Sequence, residues 1–154
     1  MARDVTIVEA RPLLLAAVRR QATAATLANT VISAPVWALL AQRGVPNTGR
    51  TVVIYWNDQE RSLQATAGVP IDVGVEVDEP IPDHPTLSFV QTPSGRAASF
   101  HHVGPYRALA EVHDDVRSWC AARAENIAGV AWEVFHHFDE DADKCETGVF
   151  YLLA

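Results

Sequence analysis

The strongest constraint on this chain is that one order of structural signals runs through it twice, at an offset of about 80 residues. In the first half, Asp4 to Glu9 alternates apolar and polar residues and reads as a strand, and Leu13 to Val18 after Pro12 reads as another. Thr23 to Arg43 carries a helical stripe at Ile32, Val36, Leu39 and Leu40, interrupted at Pro35, where a kink or a fresh first turn is expected. Thr51 to Trp56 and Ser62 to Val69 are two further strands, separated by a turn at Asn57 to Glu60. The acidic, Pro-containing stretch Ile71 to Pro85 reads as a linker, in which Val73 to Val77 could extend the strand before it. The order then restarts. Thr86 to Gln91 and Gly95 to Val103 are strands, and Pro105 to Ala124 is a helix with Pro105 at its first position. Tyr106, Leu109, Val112, Val116, Trp119 and Cys120 line the core face of that helix. Gly129 to Phe138 and Thr147 to Leu153 close the chain as strands, on either side of an acidic turn.

Under the offset Val36 falls on Val116, Ala41 on Ala121, Arg43 on Arg123, Gly49 on Gly129, Gly68 on Gly148 and Val69 on Val149. Hairpin-linked strands with one helix per half imply an α+β fold. The expectation is one domain over residues 1–154, with two pseudo-symmetric strand–helix–strand–strand repeats near 4–70 and 85–153. They would form a largely antiparallel sheet carrying two long helices, with a central cleft where the halves meet.

That meeting line directs attention to Ala131 to Phe138. This aromatic and β-branched strand holds a single carboxylate, Glu133. Side chains alternate faces, so Glu133 and Phe135 point away from Trp132 and Val134. The offset maps Phe135 onto Tyr55, which places Tyr55 on the Glu133 side of the seam. A carboxylate among apolar groups needs a donor, a proton or a ligand cation to compensate it. Tyr55 and Phe135 offer ring faces for stacking or cation–π contact, each worth roughly 0.5–2 kcal/mol. Trp37 lies one position off the helical stripe and either closes the cleft or stands half exposed. The Tyr106 hydroxyl either polarises a ligand or finds a backbone partner, and His102 reads as a structural hydrogen-bonding residue.

Charge and composition exclude several classes. At 154 residues the net charge is −7, which opposes a phosphate backbone, and the arginines form no patch with interleaved aromatics. No apolar run is long enough for a bilayer, and Met1 to Val5 lacks the regions of a signal peptide, so a cytoplasmic location is expected. His101-His102 and His136-His137 are adjacent pairs on strands, so each pair can give only one ligand to a given site. With His113 and Cys145 added they still match no zinc spacing. No metal, no cofactor, no phosphate loop and no nucleophile elbow is expected.

Several of these motifs together resemble the GyrI-like small-molecule-binding domain family. They are His102-Val-Gly-Pro-Tyr106 opening a helix, Trp119 late in it, Trp132-Glu133 in the next strand and Thr147 to Leu152 at the end. Gly44-Val-Pro46, Gly49-Arg50 and a strand ending in Tyr55 add to the resemblance in the first half. It implies a duplicated strand–helix–strand–strand fold of the kind found as effector-binding domains in AraC-type and MerR-type multidrug regulators. It also implies a hydrophobic, cationic or aromatic ligand held by an acid at the position of Glu133. With no room for a helix-turn-helix, the chain is expected to be a freestanding member that contacts neither nucleic acid nor membrane directly. Two alternatives follow from freestanding relatives. One is a hydrolase of cyclopropane-bearing DNA-alkylating natural products, with Glu133 and Tyr106 as catalytic residues and Tyr55 as a possible assistant. The other is a protein–protein module such as a gyrase inhibitor.

Overall fold

The computed structural model describes residues 4–23, 26, 30–31, 34–44, 47–56, 69–80 and 86–154. In chain order the elements are β1 (Thr6–Ala10), β2 (Leu14–Ala22), α1 (Val36–Arg43), β3 (Asn47–Trp56), β4 (Val69–Val77), β5 (Ser88–Gln91), β6 (Gly95–Val103), α2 (Leu109–Ala122), β7 (Ile127–His137) and β8 (Glu146–Leu153). A 3-10 turn, Tyr106–Ala108, leads into α2. The eight strands form one sheet in the order β1-β6-β8-β7-β3-β4-β2-β5, and every neighbouring pair is antiparallel. The fold is α+β.

That order is a palindrome of equivalent strands about the β3–β7 pair. At this seam Val53 is paired with Glu133, its own mate under the offset, so the pseudo-twofold axis passes through that pair. Each central strand has a register shift at the matching place, between Asn47 and Thr51 in β3 and between Ile127 and Ala131 in β7. Gly129 supplies the positive φ of 90° that the second irregularity needs.

Both helices lie on one face of the sheet. Val36 and Leu40 of α1 pack on Val53, Tyr55, Ile71, Val73 and Val75. Leu109, Val112, Val116 and Cys120 of α2 pack on Ala98, Ala131, Val149 and Tyr151. Phe135 is the residue packed against both clusters, so it marks the junction between the two cores. The opposite face holds a third cluster around Val52, Ile54, Trp132 and Val134, with the Trp132 and Phe150 rings stacked at 5.2 Å. As α1 begins at Val36, directly after Pro35, the fresh first turn expected there is what forms. Most of the helical stretch expected from Thr23 to Pro35, and the turn expected at Asn57 to Glu60, lie outside the described residues.

Three expectations need correction. Ile71 to Val77 is no linker: it is most of β4, an internal strand paired with β2 on one side and β3 on the other. The strand expected over Ser62 to Val69 lies outside the described residues except at Val69, where β4 begins. β4 pairs Val53 with Val73, and β8 pairs Glu133 with Val149, so the mate of Val149 is Val73 and not Val69. Nor do the hairpins expected within each half form at β1 and β5. β1 pairs with β6 of the second half, and β5 pairs with β2 of the first. The two halves exchange their outermost strands.

Candidate functional site

Alternation along β7 puts Glu133 on the helix-bearing face, where 4% of it is exposed. Tyr55 reaches it diagonally across the seam, from a position paired with Ala131. Its hydroxyl donates to Glu133 Oε1 at 2.5 Å. His113 comes down from α2, with Nε2 2.8 Å from Glu133 Oε2. The other ring nitrogen, Nδ1, lies 2.7 Å from the hydroxyl of Tyr151 on β8. The Tyr55 ring meets the His113 ring edge-on at 6.0 Å, and the Arg117 guanidinium covers the Tyr151 ring at 5.3 Å. A continuous chain therefore runs Tyr55–Glu133–His113–Tyr151 through the floor of the junction.

Each carboxylate oxygen thus has a donor inside the protein. Hydrogen bonds to a charged group contribute about 1.5–3 kcal/mol each. Two of them offset much of the several kcal/mol that burying one ion costs. Among the described residues no Lys or Arg pairs with Glu133; its carboxyl group meets the Tyr55 hydroxyl and the His113 ring. The arrangement is a buried carboxyl group set among rings.

Trp37 and Tyr106 stand at the solvent side of the same junction, 46% and 38% exposed. The Trp37 indole Nε1 donates to Thr51 Oγ1 at 3.3 Å, and Thr51 is the cross-strand partner of Phe135. Tyr106 meets Phe135 edge-on at 5.4 Å. These two aromatics, one from α1 and one from the turn before α2, therefore approach the Thr51–Phe135 pair from the two halves. Burial, and then a hydrogen bond with the Cys145 thiol, push the Tyr106 hydroxyl up to about 12. Tyr55, and not Tyr106, is the tyrosine in contact with Glu133. His102 donates from Nε2 to the Pro105 carbonyl at 3.1 Å and so fastens the start of the helix.

Sequence reasoning brought Glu133, Tyr55 and Phe135 to one face. It weighed His113 only as a metal donor and did not single out Tyr151. The signal was present: His113 falls between Leu109 and Val116 at helical spacing, on the buried stripe of α2, and Tyr151 follows Val149 on the same face of β8. Among the described residues no group of three or more His, Cys, Asp or Glu side chains is arranged to hold a metal ion. No helix in the described residues is long and apolar enough to cross a membrane.

The model of one family, the GyrI-like small molecule binding domain, matches residues 3–149. The chain belongs to the GyrI-like family. No curated protein matches the sequence. Among solved structures, the chain is similar to the C-terminal domain of EcmrR, with a TM-score of 0.79, 14% identity, and coverage of 100% of this chain and 99% of that one. It matches EcmrR in a complex with DNA at a TM-score of 0.78 and 13% identity over 97% of this chain, where it spans only 57% of the length of that protein. SAV2435 bound to tetraphenylphosphonium is similar at a TM-score of 0.65 and 13% identity, covering 98% of this chain and 94% of that one. At these identities the likenesses show a shared fold. The family match makes the chain a small-molecule-binding domain of the GyrI-like kind.

Proposed function

We propose that this GyrI-like chain binds bulky hydrophobic cations at the junction of its two halves, with Glu133 as the anionic anchor. The observation that carries the reading is a carboxylate 4% exposed, on the pseudo-twofold axis, that no Lys or Arg among the described residues neutralises. Tyr55 and Phe135 supply ring faces beside it, and Trp37 and Tyr106 supply exposed rings in contact with the Thr51–Phe135 pair. A delocalised organic cation suits such a place because it loses little hydration on entry and gains both the charge and the ring faces. That SAV2435 is found with tetraphenylphosphonium on the same fold is consistent with this ligand class. The hydrolytic reading draws on the Tyr55–Glu133 contact too. It is the lesser one, because both Glu133 oxygens are already engaged, by the Tyr55 hydroxyl and by His113, where a general base needs one turned to water.

The test is a tryptophan-fluorescence titration with tetraphenylphosphonium. The wild-type chain should bind, and Glu133→Gln, which keeps the shape and removes the charge, should bind at least ~10-fold more weakly, a loss of about 1.4 kcal/mol. Equal affinity in the two proteins would sink the proposal.

A further inference from the structure

We infer that His113 makes occupancy of this site depend on pH: a ligand cation and a proton on His113 compete for the one negative charge of Glu133. The inference rests on the cation reading above and adds regulation of the same site.

An ionised Glu133 can only accept, so His113 Nε2, 2.8 Å from Oε2, carries a hydrogen. That leaves Nδ1, 2.7 Å from the Tyr151 hydroxyl. If Nδ1 is a lone pair, the phenol O–H donates to it and His113 is neutral. If Nδ1 carries a second hydrogen, it donates to the phenol oxygen and His113 is an imidazolium. Tyr151 can serve in either role. The Nδ1–Tyr151 contact can therefore close in either charge state, the phenol hydrogen turning away when Nδ1 donates. A backbone carbonyl in the place of Tyr151 would have fixed one hydrogen on Nδ1; here the partner leaves it free to come and go.

What differs between the two states is charge. With His113 neutral, the Glu133–His113 pair is a net anion. With His113 protonated, the pair is neutral and offers an entering cation no attraction. The exchange takes place out of solvent: the two side chains are 13% and 6% exposed, so the charges couple strongly. The groups facing His113 are few. Glu133 faces it from β7, the Tyr55 phenol ring from β3 and the Tyr151 hydroxyl from β8. On its own helix Arg117, one turn on, lies over the Tyr151 ring and pairs with Asp114 at 3.2 Å. Glu111, Asp114 and Asp115 are one or two positions from His113 and do not share its face of the helix. Glu133 is thus the only anion that a proton on His113 can cancel among the described groups facing it.

The sign follows from linkage. A bound cation opposes protonation of His113, so binding expels a proton wherever His113 carries one, and affinity falls as pH drops, by up to about tenfold per pH unit. The experiment is calorimetric titration of the full chain with tetraphenylphosphonium between about pH 8 and about pH 5.5, in buffers of different ionisation enthalpy, beside a neutral triarylphosphine oxide of similar size. The inference expects three results: affinity for the cation that falls with pH, a binding heat that reports proton release, and a nearly level profile for the neutral ligand. His113→Gln should lose most of the slope for the cation. If that variant does not fold, the contrast between charged and neutral ligand in the wild type decides the matter. A level cation profile, or equal slopes in wild type and His113→Gln, overturns the inference and leaves the binding reading intact. Absence of tetraphenylphosphonium binding at every pH overturns both.

Discussion

Thr147 is fully buried on β8, and its hydroxyl is the one buried side-chain polar atom among the described residues with no hydrogen-bond partner. It is paired with Phe135 on one side and His102 on the other, on the helix-bearing face. An unsatisfied buried hydroxyl costs about 1–3 kcal/mol, so Thr147→Val, which keeps the branched shape, should raise stability by ~1 kcal/mol. Urea unfolding measures this; a lower midpoint in the variant would show that the hydroxyl is satisfied after all. Thr147 also illustrates how individual residues divide into those the sequence discloses and those it hides. Glu133 and Tyr55 were legible because a lone acid in an aromatic strand, mapped through the repeat, fixes which face each occupies. Whether Tyr55 would touch Glu133 depended on a diagonal reach across β3 and β7, which periodicity leaves open. His113 was hidden by its residue type. A histidine on an apolar helix stripe is compatible with plain packing, and only the descent of α2 onto β7 and β8 gives it two partners.

At the level of single elements, β4 shows why charge patterning misleads. Ile71, Val73, Val75 and Val77 alternate with Asp72, Gly74 and Glu76, and the acids look like those of a solvated linker. Both acids are instead held on the far face of the sheet. Asp72 takes two bonds from the Arg19 guanidinium at 2.8 Å and one from the Trp56 indole at 2.6 Å, and Glu76 takes Arg50 at 2.6 Å. Their partners lie 53, 16 and 26 residues away in sequence, so the compensation is invisible until the strands pair. The glycine between them is equally constrained. A Cβ on Gly74 would come within 3.0 Å of the Ala16 carbonyl oxygen and of Leu15 Cβ, and 3.1 Å from Ala17 Cβ, all on β2. Backbone cannot swing aside as a long side chain can, so Gly74→Ala should destabilise the protein by about 1–3 kcal/mol. A thermal melt indistinguishable from wild type would mean that β2 and β4 do not approach as closely as described.

For the whole molecule the consequential feature is the exchange of outer strands, which no period in the sequence could disclose because it concerns which edge each short strand joins. The offset that puts Gly49 on Gly129 was legible, the matching register shifts beside them were not, and neither says how two similar halves interlock. β1 lies only four residues before β2, yet it runs along β6, from Thr6 against Ser99 to Ala10 against Gly95, and Val5 beside it enters the α2 core. β5 lies along β2, and the crossing is fastened where Leu13 and Thr92 exchange bonds of 2.8 and 3.0 Å. The halves are thereby bound at both edges as well as along the β3–β7 seam, which holds Glu133 between two cores that cannot separate independently. Removing residues 1–10 separates this arrangement from the simpler one in which β1 serves its own half. The loss includes the burial of Val5, about 1.5–3 kcal/mol, and it should fall on the second half. Amide hydrogen exchange should show β6 losing protection while β2, still flanked by β4 and β5, keeps it. Loss of protection in β2 with β6 unaffected would mean that β1 pairs within its own half, and the two halves would then be joined at the seam alone.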